Sequence, residues 1–198
     1  MSICIFGDST AWGAWDEEKG GWVNRLRLSL ESKNYEPQVY NLAIDGDTSE
    51  GVRERFEAEA TLREAGIVII AIGANDSGTD DSGNFFISSA QFEENLRVLA
   101  DAANKMGYVT VFLDFENIDE SKTNPVSWAN IYYSEEDLDK YSAIMKTVAE
   151  ESNIYFCSIR GLLTNEDLSD GLHPNDAGHA KIAEAVETFL ISNKIITI

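Results

Sequence analysis

Three short segments, far apart in this 198-residue chain, carry the residue types of acyl transfer to water. Gly7-Asp8-Ser9 follows the first apolar run, Gly73-Ala74-Asn75-Asp76 follows the third, and Asp170-Gly171-Leu172-His173-Pro174 precedes the last helical stretch. A serine hydroxyl is a weak nucleophile at neutral pH and needs a base within hydrogen-bond reach. His173 is the candidate base for Ser9. Asp170, three residues earlier, can lie against the imidazole Nδ1, fix its tautomer and stabilise the imidazolium. The oxyanion formed on attack needs preorganised donors, and three candidates are present: the Ser9 backbone N–H, the Gly46 backbone N–H and the Asn75 side-chain amide.

Each of these has an ordinary structural reading. Gly-x-Ser is also a turn or N-cap pattern, Gly46 and Asn75 are common turn formers, and a loop histidine can have an unrelated acidic neighbour. Gly7-Asp8-Ser9-Thr10-Ala11 half-matches a nucleophile elbow, but it lacks the final glycine and follows the first strand. Asp8 reads as a structural carboxylate bonding nearby backbone. His179, within the last helical stretch, reads as a surface residue. No tight His-x-His or His-x-x-x-His pair is present, so no metal site is expected.

The elements that must position these residues alternate. Apolar runs at Ser2–Phe6, Val39–Ala43, Ile67–Ile72, Val109–Asp114 and Ile154–Ser158 lack period-two alternation, which predicts strands buried on both faces. Between them lie helical stripes. Phe92, Leu96, Leu99 and Ala103 mark one over 90–106, started by a Ser88–Gln91 capping box and stopped at Gly107. Leu138, Tyr141, Met145 and Val148 mark another over 134–152, and Ile182, Val186 and Phe189 a third over 175–192 after Pro174. Residues 22–32 and 49–65 complete the helices. Such alternation predicts an α/β fold with a parallel sheet, right-handed crossovers and helices on both faces. Ligands bind such sheets outside the carboxyl ends of the strands, where all the chemical motifs fall.

Length and composition predict a single domain spanning residues 1–198, with 43% hydrophobic and 25% charged residues. The formal charge of −20 predicts solubility and repels nucleic acid, anionic membranes and polyanionic substrates. The longest apolar stretch, Ile67–Ile72, is too short to span a bilayer. The N-terminus enters the first apolar run without a basic segment, and a cytoplasmic protein is expected. Cys4 and Cys157, both in apolar runs, read as buried reduced thiols, which suits a reducing compartment.

Taken together, the motifs resemble the SGNH hydrolases, the GDSL-type esterase and lipase superfamily, whose blocks match in order over nearly the whole chain. Gly7-Asp8-Ser9-Thr10 resembles the first block, Asn41 to Gly46 the second, Gly73-Ala74-Asn75-Asp76 the third and Asp170–Pro174 the fifth. Thr10 departs from the usual Leu or Ile, a change expected to affect packing more than chemistry. The resemblance implies a flavodoxin-like three-layer α/β/α fold with a five-stranded parallel sheet in the order 2-1-3-4-5. It also implies ester hydrolysis through an acyl-enzyme at a Ser9–His173–Asp170 triad, without metal or cofactor, on a small-molecule ester. A flavodoxin-like phosphate- or cofactor-binding module is the alternative, but it gives Asp170 and His173 no joint role. A member that has lost catalysis and only binds carbohydrate would not need every catalytic residue type. Trp12, Trp15 and Trp22 near Ser9, and Trp128, Tyr132 and Tyr133 after the fourth strand, can line a sugar or acyl site or serve as core and lid packing; Trp22 opens a helix and is expected to be buried.

Overall fold

The computed structural model describes residues 2–33, 35 and 37–197. The chain runs β1 (Ser2–Gly7), α1 (Ser9–Trp12), α2 (Trp22–Ser32), β2 (Val39–Asn41), α3 (Ser49–Leu62), β3 (Ala65–Ala71), α4 (Ala74–Ser77), α5 (Ser89–Met106), β4 (Val109–Leu113), α6 (Glu120–Thr123), α7 (Glu135–Glu151), β5 (Tyr155–Cys157) and α8 (Asp176–Ser192). The strands form one five-stranded sheet in the order β2-β1-β3-β4-β5, every described pair parallel.

Alternation along the strands builds two cores. Ile3, Ile5, Ile67, Ile69, Val111 and Leu113 face α2 and α8, where Trp22, Leu26, Leu30, Ile182, Val186 and Leu190 meet them. Cys4, Phe6, Val68, Ile70 and Phe112 face α3, α5 and α7, packing on Val52, Phe56, Phe92, Leu96, Tyr141 and Met145. Fully burying one such aliphatic or aromatic side chain contributes about 1.5–3 kcal/mol, so both faces of the sheet are strongly specified. This is the three-layer α/β/α arrangement.

The central strands β1, β3 and β4 are buried on both faces as their composition predicts, but β2 and β5 are not. They are the sheet edges, where Asn41 and Tyr155 meet solvent; apolar content alone does not tell an edge strand from a central one. The helix after β2 also stops at Leu62 rather than continuing to Ala65, because Glu64 takes φ +51° and Ala65 enters β3. Before α5, Ser88 accepts from Gln91 N at 3.3 Å, but the Gln91 amide turns to Asn95 instead of completing a capping box. Gly107, at φ +76°, closes that helix in the left-handed conformation a glycine tolerates.

Cys4 on β1 and Cys157 on β5 are buried and unpaired. With β3 and β4 between their strands they lie well beyond disulfide reach, ~14 Å apart at ordinary strand spacing.

Candidate active site

The topology reverses between β1 and β3, and the turns after these two strands carry Ser9 and Asn75. β1 ends at Gly7. A side chain there would lie 2.8 Å from the Ala71 carbonyl, so glycine lets the turn close against β3. Asp8 then caps α1, its Oδ1 accepting from Thr10 N at 3.1 Å, and remains a backbone-binding carboxylate as its position suggests. Ser9 follows as the first residue of α1, 7% exposed, with its Oγ 2.9 Å from His173 Nε2.

His173 and Asp170 come from the opposite end of the sequence. Their loop is pinned by Ser169 N donating to His173 O at 2.8 Å and Asp119 N donating to Gly171 O at 2.8 Å. Asp170 Oδ1 accepts from the backbone N–H groups of Leu172 and His173, at 2.9 and 2.8 Å. Its Oδ2 lies 2.8 Å from His173 Nδ1. An ionised carboxylate can only accept, so Nδ1 carries the proton and Nε2 is free to accept from the Ser9 hydroxyl. Burial works against the Asp170 charge, but the bonds from His173 outweigh it and hold the carboxyl down at about 2. Burial likewise disfavours charge on His173. The hydrogen bond and charge of Asp170, with Glu116 and Asp8 further off, prevail and raise its pKa above the ordinary value.

Asn75 sits one residue into α4, after Gly73 at φ +134°. Its Nδ2 donates to Asp47 O at 2.9 Å and its Oδ1 accepts from the Tyr133 hydroxyl at 3.0 Å, which fixes which way the amide points. The amide nitrogen has a second N–H left after the bond to Asp47. Asp76 reaches across to the first turn of α3, accepting from Ser49 N at 3.1 Å and from the Ser49 hydroxyl; burial pushes its pKa up to about 6. These bonds lock the turn after β3 to the segment after β2. Gly46 lies in that segment at φ +75°, exposed, within a turn tied to β1 by Ile44 N donating to Gly7 O at 3.0 Å. Both oxyanion candidates therefore belong to segments anchored beside the Ser9 turn.

Other residues of the site stand out only in three dimensions. Trp15 donates its indole N–H to Asp170 Oδ2 at 2.8 Å, making it a second donor on the oxygen that holds His173. Trp128 stacks on the His173 ring, centroids 5.6 Å apart and planes 29° from parallel. Both tryptophans and Trp12 are about half exposed, whereas Trp22 is buried as expected. Trp12, Trp15, Trp128, Ala14 and Asp45 surround Asp170 and His173 in an open cleft of about 380 Å³. The sequence offers these tryptophans as neighbours of the motifs; their partners depend on loops whose paths it does not show.

His179 is not a surface residue. It is fully buried, its Nδ1 accepting from Trp22 N at 3.1 Å and its Nε2–H donating to Ala14 O at 2.8 Å, with burial pushing its pKa down. It ties α8 to the loop that carries Trp15. Isolated in sequence, a histidine after a helix N-cap looks like a solvent-facing one; its two partners come from a segment more than a hundred positions away. Among the described residues, no cluster of three or more His, Cys, Asp or Glu side chains is arranged to hold a metal ion.

Residues 5–181 match the GDSL-like Lipase/Acylhydrolase family. Esterase TesA of Pseudomonas aeruginosa is 25% identical over 190 residues, covering 94% of this chain and 86% of its own length. The uncharacterized lipoprotein YqeF of Bacillus subtilis is 28% identical over 116 residues, 56% of this chain and 46% of that protein. In fold, the chain resembles the psychrotrophic esterase EstA of a Pseudoalteromonas species, seen inhibited by monoethylphosphonate, with a TM-score of 0.77 at 18% identity over 98% of this chain and 99% of EstA. With a family match over nearly the whole chain and an esterase fold built on the same sheet, this chain belongs to the GDSL-like lipase/acylhydrolase family and is a serine ester hydrolase.

Proposed function

We propose that Ser9, His173 and Asp170 act as the catalytic triad of this hydrolase, with the Ser9 N–H, the Gly46 N–H and the Asn75 amide as its oxyanion hole. The observation that carries the reading is the unbroken relay of Ser9 Oγ, His173 and Asp170, at 2.9 and 2.8 Å, at the carboxyl edge of the sheet. Ser9 Oγ attacks the ester carbonyl carbon as His173 Nε2 takes the hydroxyl proton. The tetrahedral oxyanion draws on the three donors, and the imidazolium gives its proton to the departing alcohol. Water then attacks the acyl-enzyme with His173 again as base, releasing the acid and restoring Ser9. Residues 1–198 work as one domain in this reading, because one sheet carries every group.

The cleft narrows the substrate. Three half-exposed tryptophans offer flat apolar faces, and neither lysine nor arginine lines it, while Asp45 adds negative charge. Such a cleft suits a small uncharged or cationic ester and disfavours phosphorylated alcohols and other anions. The same acidity speaks against a phosphate-binding module. A charge of −20 disfavours nucleic acid as a partner. No helix among the described residues is long and apolar enough to cross a membrane. Two buried reduced thiols support a cytoplasmic location, which cell fractionation would test against a lipoprotein-like membrane association.

The decisive experiment measures hydrolysis of aryl esters of increasing acyl length, with Ser9→Ala and His173→Ala as controls. Each variant should lose nearly all activity, and the double variant should be little worse than either, since the residues act as a unit. A phosphonylating reagent should add mass at Ser9 alone. Full activity in Ser9→Ala would refute the assignment.

A further inference from the structure

The residue after the candidate nucleophile is Thr10, where the resembled superfamily usually carries Leu or Ile. The structure gives its hydroxyl a definite partner. Thr10 Oγ1 donates to Glu116 Oε1 at 2.8 Å, while Thr10 N donates to Asp8 Oδ1 at 3.1 Å. The substitution therefore does more than alter packing. Thr10 stands between two buried carboxyl groups, one arriving from β1 and the other from the segment after β4, both lining the same small void of about 20 Å³ beneath the site. β3 lies between those two strands, so the bond spans the end of the central strand and joins the Ser9 turn to the far side.

Glu116 is 7% exposed, and its carboxyl accepts from Thr10 with no salt bridge to a basic side chain among the described residues. Arg160 donates to the Glu116 main-chain oxygen at 2.8 Å rather than to its carboxyl, and its other hydrogen bonds go to Glu135 and Asp139. Burying an unpaired carboxyl is costly, and a hydrophobic pair of similar volume would be cheaper at these two positions. Burial, reinforced by the neighbouring carboxyls, raises the pKa of both Glu116 and Asp8. A cost retained beside a reactive serine calls for a compensating role.

We propose that Thr10 and Glu116 are positioning residues, a hydrogen-bonded strut that holds the Ser9 turn at the distance from which its hydroxyl reaches His173. The main chain of Glu116 is itself anchored by Arg160, which is tied to α7 through Glu135 and Asp139. The anchor therefore extends from α7 through Glu116 to the first turn of α1. A shift of the Ser9 turn would lengthen the 2.9 Å bond to His173 while leaving in place Trp128 and Asp45, the cleft walls that come from other segments. The strut acts chiefly on the chemical step, since it sets the Ser9–His173 distance, and only secondarily on substrate binding. The inference rests on the triad reading above.

Steady-state kinetics and thermal melting of Thr10→Val, Thr10→Ser, Glu116→Gln and the double variant Thr10→Val/Glu116→Leu test it. Thr10→Val, nearly isosteric but without the hydroxyl, should lower kcat about 10-fold with KM changed by less than about 2-fold. Thr10→Ser and Glu116→Gln keep a donor and an acceptor, and each should stay within about 3-fold of the parent kcat. The double variant replaces the strut by an apolar contact. It should melt at or above the temperature of Thr10→Val and still show the low kcat. An unchanged kcat in Thr10→Val, or a double variant that regains kcat together with stability, would show that the pair only fills space. If Thr10→Val does not fold, the double variant measured against Thr10→Ser and Glu116→Gln decides the same point. Ser9→Ala separates the two ideas: if it is inactive while every strut variant matches the parent, only the strut fails, and if it is active the triad itself fails.

Discussion

Asp170 is the most heavily engaged side chain of the site, accepting two backbone N–H groups on Oδ1 and both His173 and Trp15 on Oδ2. That division of labour determines what Asp170→Asn would do. The backbone donors hold the amide oxygen at the Oδ1 position, so the new NH₂ faces His173 and Trp15, where two donors already point. His173 can relieve the conflict only by moving its proton to Nε2, which then cannot accept from Ser9. We predict a loss in kcat on the order of 10³- to 10⁴-fold, larger than loss of charge alone would give yet below that of Ser9→Ala. Trp15→Phe removes one donor from Oδ2 and leaves its charge more available to His173. Because the proposed triad requires neutral His173, whose pKa is raised above its ordinary ~6.5, kcat/KM should rise through a pKa above that value in the parent. In Trp15→Phe this limb should move to still higher pH; an unmoved or lowered limb would show that the indole N–H has no influence on the pair.

At the scale of elements, the turn from β3 into α4 carries Asn75, the proposed oxyanion donor. Asn75→Ala should leave the fold intact and lower kcat by about 10²-fold, since the amide acts mainly on the charge developing in the transition state. A change of less than a few-fold would reduce Asn75 to a turn residue bridging Asp47 and Tyr133. Gly73→Ala differs in kind. Its Cβ would lie 2.7 Å from Phe115 and 2.9 Å from Phe92, both buried, at a φ of +134° that side chains rarely adopt. We predict about 1–3 kcal/mol of destabilisation from strain and overpacking, seen as a melting temperature lower by several degrees. Thermal unfolding monitored by circular dichroism separates this loss from the catalytic one.

For the whole molecule, buried acids and surplus charge set the dependence of stability on pH. Asp8, pushed by burial and Glu116 up to about 7, Asp76, pushed by burial up to about 6, and Glu116 and Asp114, raised by burial, all bind protons more tightly folded than unfolded. Groups with raised pKa contribute stability that is present below their unfolded values, near ~4 for carboxyls, and is lost as pH climbs through the folded ones. His173, also raised, adds the same trend above its ordinary ~6.5. His179 works in the other direction, since burial keeps it neutral. Asp170, Asp167 and Asp119, all lowered by their hydrogen bonds, lose their contribution as pH falls below the ordinary carboxylate range. The melting temperature should therefore peak near pH ~5 and fall toward pH 8. Salt should reduce that fall by screening the self-repulsion of a chain with 35 acidic and 15 basic residues. A melting temperature that rises steadily from pH 5 to 8 would contradict the buried-acid assignment.

The sequence by itself determined the fold class and the strand-helix order, and singled out Ser9, Gly46, Asn75, Asp170 and His173 as candidate site residues, because these depend on local patterns: apolar runs, helical stripes and short motifs at strand ends. A parallel sheet then forces everything after a strand toward one edge, so motifs separated by more than 160 positions could be read as one site. The tertiary structure decided what depends on contacts between distant loops. It made β2 and β5 edges, buried His179 between Trp22 and Ala14, and gave Asp170 a second donor in Trp15. It also turned Thr10 from a packing substitution into the donor of Glu116. A hydrogen-bond partner across the fold leaves no periodicity and no fixed spacing in the chain; it exists only once packing has fixed where each loop runs.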